Sequence, residues 1–160
     1  GVIHGAGNLA DKNLEHKTEN DYDLVYDTKV ASLFSILQCI DVNALRYLIL
    51  FSSISGYFGQ VGQTDYSLSN EILNKFAHAV SKINKNIFVK SINWGPWDGG
   101  MVTTTLKKLY KSFNLDVIPV KEGVDFFVRE LNTVENSNPQ ILVCQKDIDD
   151  IREKARALAV

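Results

Sequence analysis

The feature that most constrains this chain is an alternation of short apolar runs with long amphipathic stretches. Four runs, Gly1–His4, Arg46–Phe51, Ile87–Asn93 and Gln140–Cys144, are nearly continuous in aliphatic and aromatic residues. A strand solvated on one face alternates apolar with polar; a strand covered on both faces does not. Between the runs the apolar period becomes helical. A helix is expected to start at Thr18, capped with Asp21 three residues on, and to carry Leu24, Val25, Val30, Leu33, Phe34 and Leu37 on its apolar side. A second runs from about Thr64 to Ser81 with Leu68, Ile72, Leu73, Phe76, Ala77 and Val80. A polar helix-prone stretch covers Thr103–Phe113, and a further helix runs from about Lys121 to Leu131. Strands alternating with helices build a parallel sheet with right-handed crossovers. The expected fold class is α/β, a Rossmann-like parallel sheet with flanking helices over residues 1–145, followed by a charged helical tail or linker over 146–160.

One part of such a fold is missing. Doubly wound sheets grip dinucleotides with a Gly-rich turn after the first strand, and no G-x-G-x-x-G follows a strand here. Gly5-Ala6-Gly7 follows the first run without a helix-opening glycine pattern, and reads as a loop close to a ligand or as a simple turn. The chain is therefore expected to lack the N-terminal βαβ nucleotide-binding segments. Its opening on a strand end, without a Met or a leader, fits an excised or truncated piece.

Charge and cysteine content narrow the function. A formal net charge of −2 with scattered basic residues leaves no electrostatic footprint for nucleic acid or an anionic membrane. The longest strongly apolar run, Tyr47–Phe51, is far short of the roughly 20 residues that span a bilayer. Cys39 and Cys144 have no metal-ligand spacing and read as reduced core thiols of a cytoplasmic protein, and no metal site is expected. His4 is expected to be a hydrogen-bonded structural histidine, His16 and His78 surface residues, and Trp94 and Trp97 a pocket floor. The acidic run Asp147, Asp149, Asp150 reads as a solvated helix start.

Four residues carry chemistry in combination. Lys29 lies on the first long helix, Ser53 at the carboxyl end of the second strand, Tyr66 on the second helix, and Asn70 one turn beyond it. Open α/β sheets bind ligands outside the carboxyl ends of their strands, where Ser53 would lie. Tyr66 and Asn70, at i and i+4, share a helix face. A phenol is a poor acid near neutrality, and a neighbouring ammonium makes it a better one. Ser53 can donate to a carbonyl oxygen as charge develops there. Those parts suit reduction of a ketone by hydride.

In order along the chain stand Gly1-Val2-Ile3-His4-Gly5-Ala6-Gly7, Lys29-Val30, Phe51-Ser52-Ser53-Ile54-Ser55-Gly56, Gly62-Gln63, Tyr66-Ser67-Leu68-Ser69-Asn70, Asn93-Trp94-Gly95-Pro96-Trp97 and Gly99-Gly100-Met101-Val102. With these landmarks the chain, up to about Cys144, resembles the ketoreductase domain of modular polyketide synthases and polyunsaturated fatty acid synthases, within the short-chain dehydrogenase/reductase superfamily. The resemblance implies Tyr66 as proton donor and Ser53 as holder of the substrate carbonyl. Ordinary superfamily members have Lys four residues after the Tyr. This branch has Asn there and the Lys on the earlier helix, the positions of Asn70 and Lys29.

It further implies NADPH as hydride donor. Gly5, Ala6, Gly7, Lys29 (on the nicotinamide ribose), Tyr66, Pro96, Trp97 and Met101 would contact it, and the polar helix after Met101 would serve as a lid. The implied substrate is a β-ketoacyl thioester on the phosphopantetheine arm of an acyl carrier protein. Leu9-Ala10-Asp11 keeps the last Asp of the family's Leu-Asp-Asp marker and has Ala in place of the other, and Phe58 stands where the (3S) class has Trp; together they point to a (3R) product. The implied nucleotide grip precedes Gly1, so the first strand would have a bare edge, covered by the missing N-terminal half or by a second copy. The alternatives are a non-catalytic structural remnant unable to bind cofactor alone, and an unrelated α/β binding module.

Overall fold

The computed structural model describes residues 1–100, 116–133, 138–147, 149, 150 and 153. Within them four parallel strands, β1 (Val2–His4), β2 (Tyr47–Ser53), β3 (Phe88–Trp94) and β4 (Gln140–Val143), pair in the order β1-β2-β3-β4. The unbroken apolar runs follow from two covered faces. Leu48 and Leu50 of β2 and Val89 of β3 point one way, into a core with Leu33, Leu73 and Ala77. Ile49, Ile92 and Trp94 point the other way, with Ile118, Phe126 and Phe127.

Thr18 opens the first helix as its sequence dictates. Its Oγ1 accepts from the Asp21 N–H at 3.2 Å, and the Asp21 carboxylate accepts from the Thr18 N–H at 3.0 Å. The helix is not the single period that the apolar spacing suggests. Helix α1 (Glu19–Tyr26) passes through a π-helical turn, Asp27–Ala31, into α2 (Ser32–Gln38). One inserted residue rotates the rest by about 100°, so a stripe drawn through the whole segment misassigns its margins. Val25, Val30 and Leu33 are buried as expected; Leu24 and Phe34 are 47% and 40% exposed.

After β2 comes a short helix, α3 (Ile54–Phe58), then α4 (Thr64–Ile83), which packs on the α1–α2 side of the sheet. A Cβ on Gly56 would stand 2.7 Å from Asn70 Cβ, so a glycine there is what lets α3 lie against α4. Helix α5 (Val120–Leu131) covers the opposite face, where Gly123 leaves room for the Trp97 ring.

Several expectations are corrected. Leu68 is 46% exposed, because the sheet-facing side of α4 is shared with the polar residues Asp65, Ser69, Asn70 and Asn74. Cys39 is exposed at the end of α2 and Cys144 is partly buried just past β4, so neither is a core thiol. His78 is partly buried, its Nε2 3.1 Å from Gln140 Oε1 of β4. Trp94 and Trp97 meet edge to face at 4.8 Å and pack in the seam between β3 and α5; the segment that would complete a pocket above them lies outside the described residues. Met101, the Thr103–Phe113 lid and most of the 146–160 tail lie outside the described residues. No described helix is long and apolar enough to cross a membrane.

Candidate active site

The carboxyl end of β2 gathers the expected set. The π-turn carries Lys29 inward, 3% exposed, and its Nζ donates to the Phe51 carbonyl at 3.0 Å. The same nitrogen stands 5.6 Å from the centre of the Tyr66 ring on α4. Burial lowers the Lys29 pKa from 10.5 to about 8, because desolvation penalises the ammonium. Asn70, fully buried, donates from Nδ2 to the Tyr66 carbonyl at 2.8 Å, while its Oδ1 has no partner among the described residues.

Ser53 ends β2 and caps α3. Its Oγ accepts from the Ser55 N–H at 3.2 Å and from the Ser55 hydroxyl at 3.0 Å. Those bonds occupy both lone pairs and leave its own proton for a ligand. Gly5 and Ala6 are exposed just past β1, beside this end of the sheet. Pro96 and Trp97 turn towards α5: the Ile118 N–H donates to the Pro96 carbonyl at 2.7 Å, and Trp97 pairs with Ile118.

The family model of the KR domain matches residues 1–99. The chain belongs to the ketoreductase (KR) domain family. It is similar to one subunit of the polyunsaturated fatty acid synthase of Thraustochytrium sp., with 44% identity over 129 residues, 81% of this chain and 4% of that protein. It is also similar to the polyketide synthase PksN of Bacillus subtilis, with 31% identity over 168 residues, 88% of this chain and 3% of that protein. The chain thus spans only a few per cent of the length of these two relatives. Among solved structures, a ketoreductase domain from the bacillaene assembly line superposes with a TM-score of 0.78 at 29% identity, covering 96% of this chain and 38% of that one.

Around these four residues lies a polar scaffold that the sequence pattern did not lead us to expect. Asn74 and Asn93, both 0% exposed, exchange amide hydrogen bonds at 2.9 and 3.0 Å. Ser91 donates to Asn74 Oδ1 at 2.7 Å, and Ser52 donates to the Asn70 carbonyl at 3.1 Å. This buried network fixes how α4 sits on β2 and β3. At the start of α4, Asp65 Oδ1 accepts from Lys17 Nζ at 2.7 Å and from the Tyr66 N–H at 2.9 Å. Gln63 Nε2 donates to Asp11 at 2.8 Å, tying the loop after β1 to the same point.

A sequence signal existed. Tyr66, Asn70 and Asn74 are spaced i, i+4, i+8, and Ser91 and Asn93 alternate inward along an apolar strand. Replacing Asn74 by Leu removes the acceptor of the Ser91 hydroxyl and leaves the Asn93 amide only long contacts of 3.4–3.5 Å, with Ser52 Oγ and the Ser91 and Ile141 carbonyls, at about 1–3 kcal/mol for each group. Chemical unfolding of Asn74→Leu is therefore expected to show a stability loss of about 3 kcal/mol.

Proposed function

We propose that this chain performs the reductive chemistry of an NADPH-dependent β-ketoacyl reductase. Its substrate is a β-ketoacyl thioester on the phosphopantetheine arm of an acyl carrier protein, and its product is the (3R)-hydroxyacyl thioester. The observation that carries this reading is the seating of Lys29, buried and aimed between the Phe51 carbonyl and the Tyr66 ring.

The residues fit a nicotinamide nucleotide. An ammonium has three donors, and Phe51 accounts for one, which leaves donors for ribose hydroxyls. A Cβ on Gly5 would meet nothing nearer than Phe51 Cγ at 3.9 Å, so the loop presents an open face. Gly5, Ala6, Gly7, Lys29, Tyr66, Pro96, Trp97 and Met101 would hold NADPH, which supplies the hydride when bound.

The chain's own residues do the rest. Ser53 donates a hydrogen bond to the ketone oxygen and stabilises the charge that develops on it. Tyr66 gives its phenolic proton to that oxygen as the carbonyl π bond breaks. Lys29 offsets the phenolate left behind, and Asn70 braces the helical turn that holds Tyr66. The outer edge of β1, where Ile3 is 59% exposed, would be covered by an N-terminal half of the domain or by a second copy.

The test supplies the full-length protein with NADPH and an acetoacetyl thioester of a pantetheine analogue. Chiral chromatography is expected to find the (3R)-hydroxybutyryl thioester. Unreduced substrate would contradict the activity, and a (3S) product would contradict the stereochemical assignment.

A further inference from the structure

We infer that His4 is a positioning residue for Lys29, clamping the π-helical turn that delivers the lysine to the site. The inference rests on the proposed roles of Lys29 and Tyr66.

A π-turn in an otherwise α-helical segment needs a cause, and Asp27-Thr28-Lys29-Val30-Ala31 contains no Pro or Gly to force one. The Ser32 N–H reaches back five residues to the Asp27 carbonyl. Groups from outside the regular ladder then take up carbonyls of the turn. Ser32 Oγ donates to the Thr28 carbonyl at 2.5 Å, and His4 Nε2 lies 2.8 Å from the Lys29 carbonyl. A carbonyl only accepts, so Nε2 carries the proton. His4 is 3% exposed, and burial lowers its pKa, which keeps the ring neutral and the Nδ1 atom unprotonated.

Strand pairing makes this bond a reference point. His4 of β1 stands in register with Leu50 of β2, one residue before Phe51, whose carbonyl holds Lys29 Nζ. One lysine is therefore gripped at both ends by adjacent strands, at its carbonyl by β1 and at its ammonium by β2. The grip sets the depth at which Nζ meets the Tyr66 ring. Among the described residues, the titratable groups facing Lys29 are His4 from β1 and Tyr66 from α4.

The test compares His4→Leu, His4→Gln and His4→Asn in the full-length protein. A Gln amide reaches the position of Nε2; an Asn amide stops at that of Nδ1. Hydrogen exchange read by mass spectrometry is expected to quicken about tenfold in residues 26–34 of His4→Leu, about the worth of one buried hydrogen bond. Exchange in β2 and α4 should stay as in wild type. In the same variant kcat/KM should fall about tenfold, with KM little changed. Its alkaline limb should move upward from about pH 8, as Lys29 leaves its buried seat. His4→Gln should restore all of these and His4→Asn none.

Unchanged exchange in His4→Leu overturns the inference, as does exchange raised throughout the domain or a limb that does not move. Should His4→Leu fail to fold, the Gln and Asn variants decide by the same readouts. If Tyr66→Phe kept full activity, the reading of the site would fail, while the exchange data would still show whether His4 holds the turn.

Discussion

Replacing Tyr66 by Phe is expected to lower kcat for ketone reduction by about 10³-fold, within the range for loss of a positioned general acid. KM and the unfolding midpoint should stay close to wild type, because the substitution spares the local structure. The Asp65 and Asn70 side chains hold Tyr66 by its backbone N–H and carbonyl, which Phe retains. The ring that faces Lys29 is also retained. Initial rates under saturating NADPH, with a parallel denaturant titration, check both halves of this expectation. A large loss of stability would mean that the phenol serves the fold.

Lys29→Met should move activity and stability in opposite directions. A unit charge at the 5.6 Å that separates Lys29 Nζ from the centre of the Tyr66 ring, at an effective dielectric of about 20, is worth about 3 kcal/mol to a phenolate, or about 10² in rate. The pH dependence follows from the depressed Lys29 pKa. Free wild-type protein loses the ammonium as pH rises through about 8, so kcat/KM should fall there, and Lys29→Met should lack that limb. For stability the sign runs the other way. Between about 8 and 10.5 the unfolded chain binds more protons than the folded one, so stability rises with pH across that window. Below it the fold bears a buried ammonium, and Met relieves that cost. The variant should therefore unfold at higher denaturant concentration at pH 7 while reducing substrate more slowly. A lysine serving structure alone would lose both together.

Much of this was legible in the sequence, for identifiable reasons. Covered strands write continuous apolar runs, so β1 to β4 fall within about two residues of their expected bounds. The Thr18–Asp21 cap is local and needs no tertiary information. Less legible was whatever depends on groups distant in sequence. The π-turn is held by His4, which lies 25 residues from Lys29, and no local propensity announces it. Asn74 looks like a surface residue, and Asn93 shows no partner, until β3 and α4 meet. Lys90 breaks an apolar strand and is tolerated because the Asn138 carbonyl at 2.6 Å and Glu130 at 3.1 Å receive it. The Lys29–Tyr66 pairing was the reverse case: far apart in the chain, yet expected, because a phenol asked to donate a proton needs a cation beside it.

The central claim is that Tyr66 and Lys29 serve a hydride reduction, and isotope tracing tests it most directly. The full-length protein is given NADPH deuterated at its transferable position, together with an acetoacetyl thioester. Mass spectrometry should find one deuterium on the former keto carbon of the product, and almost no product from Tyr66→Phe in the same interval. Product without deuterium, or equal yield from the variant, would contradict the account.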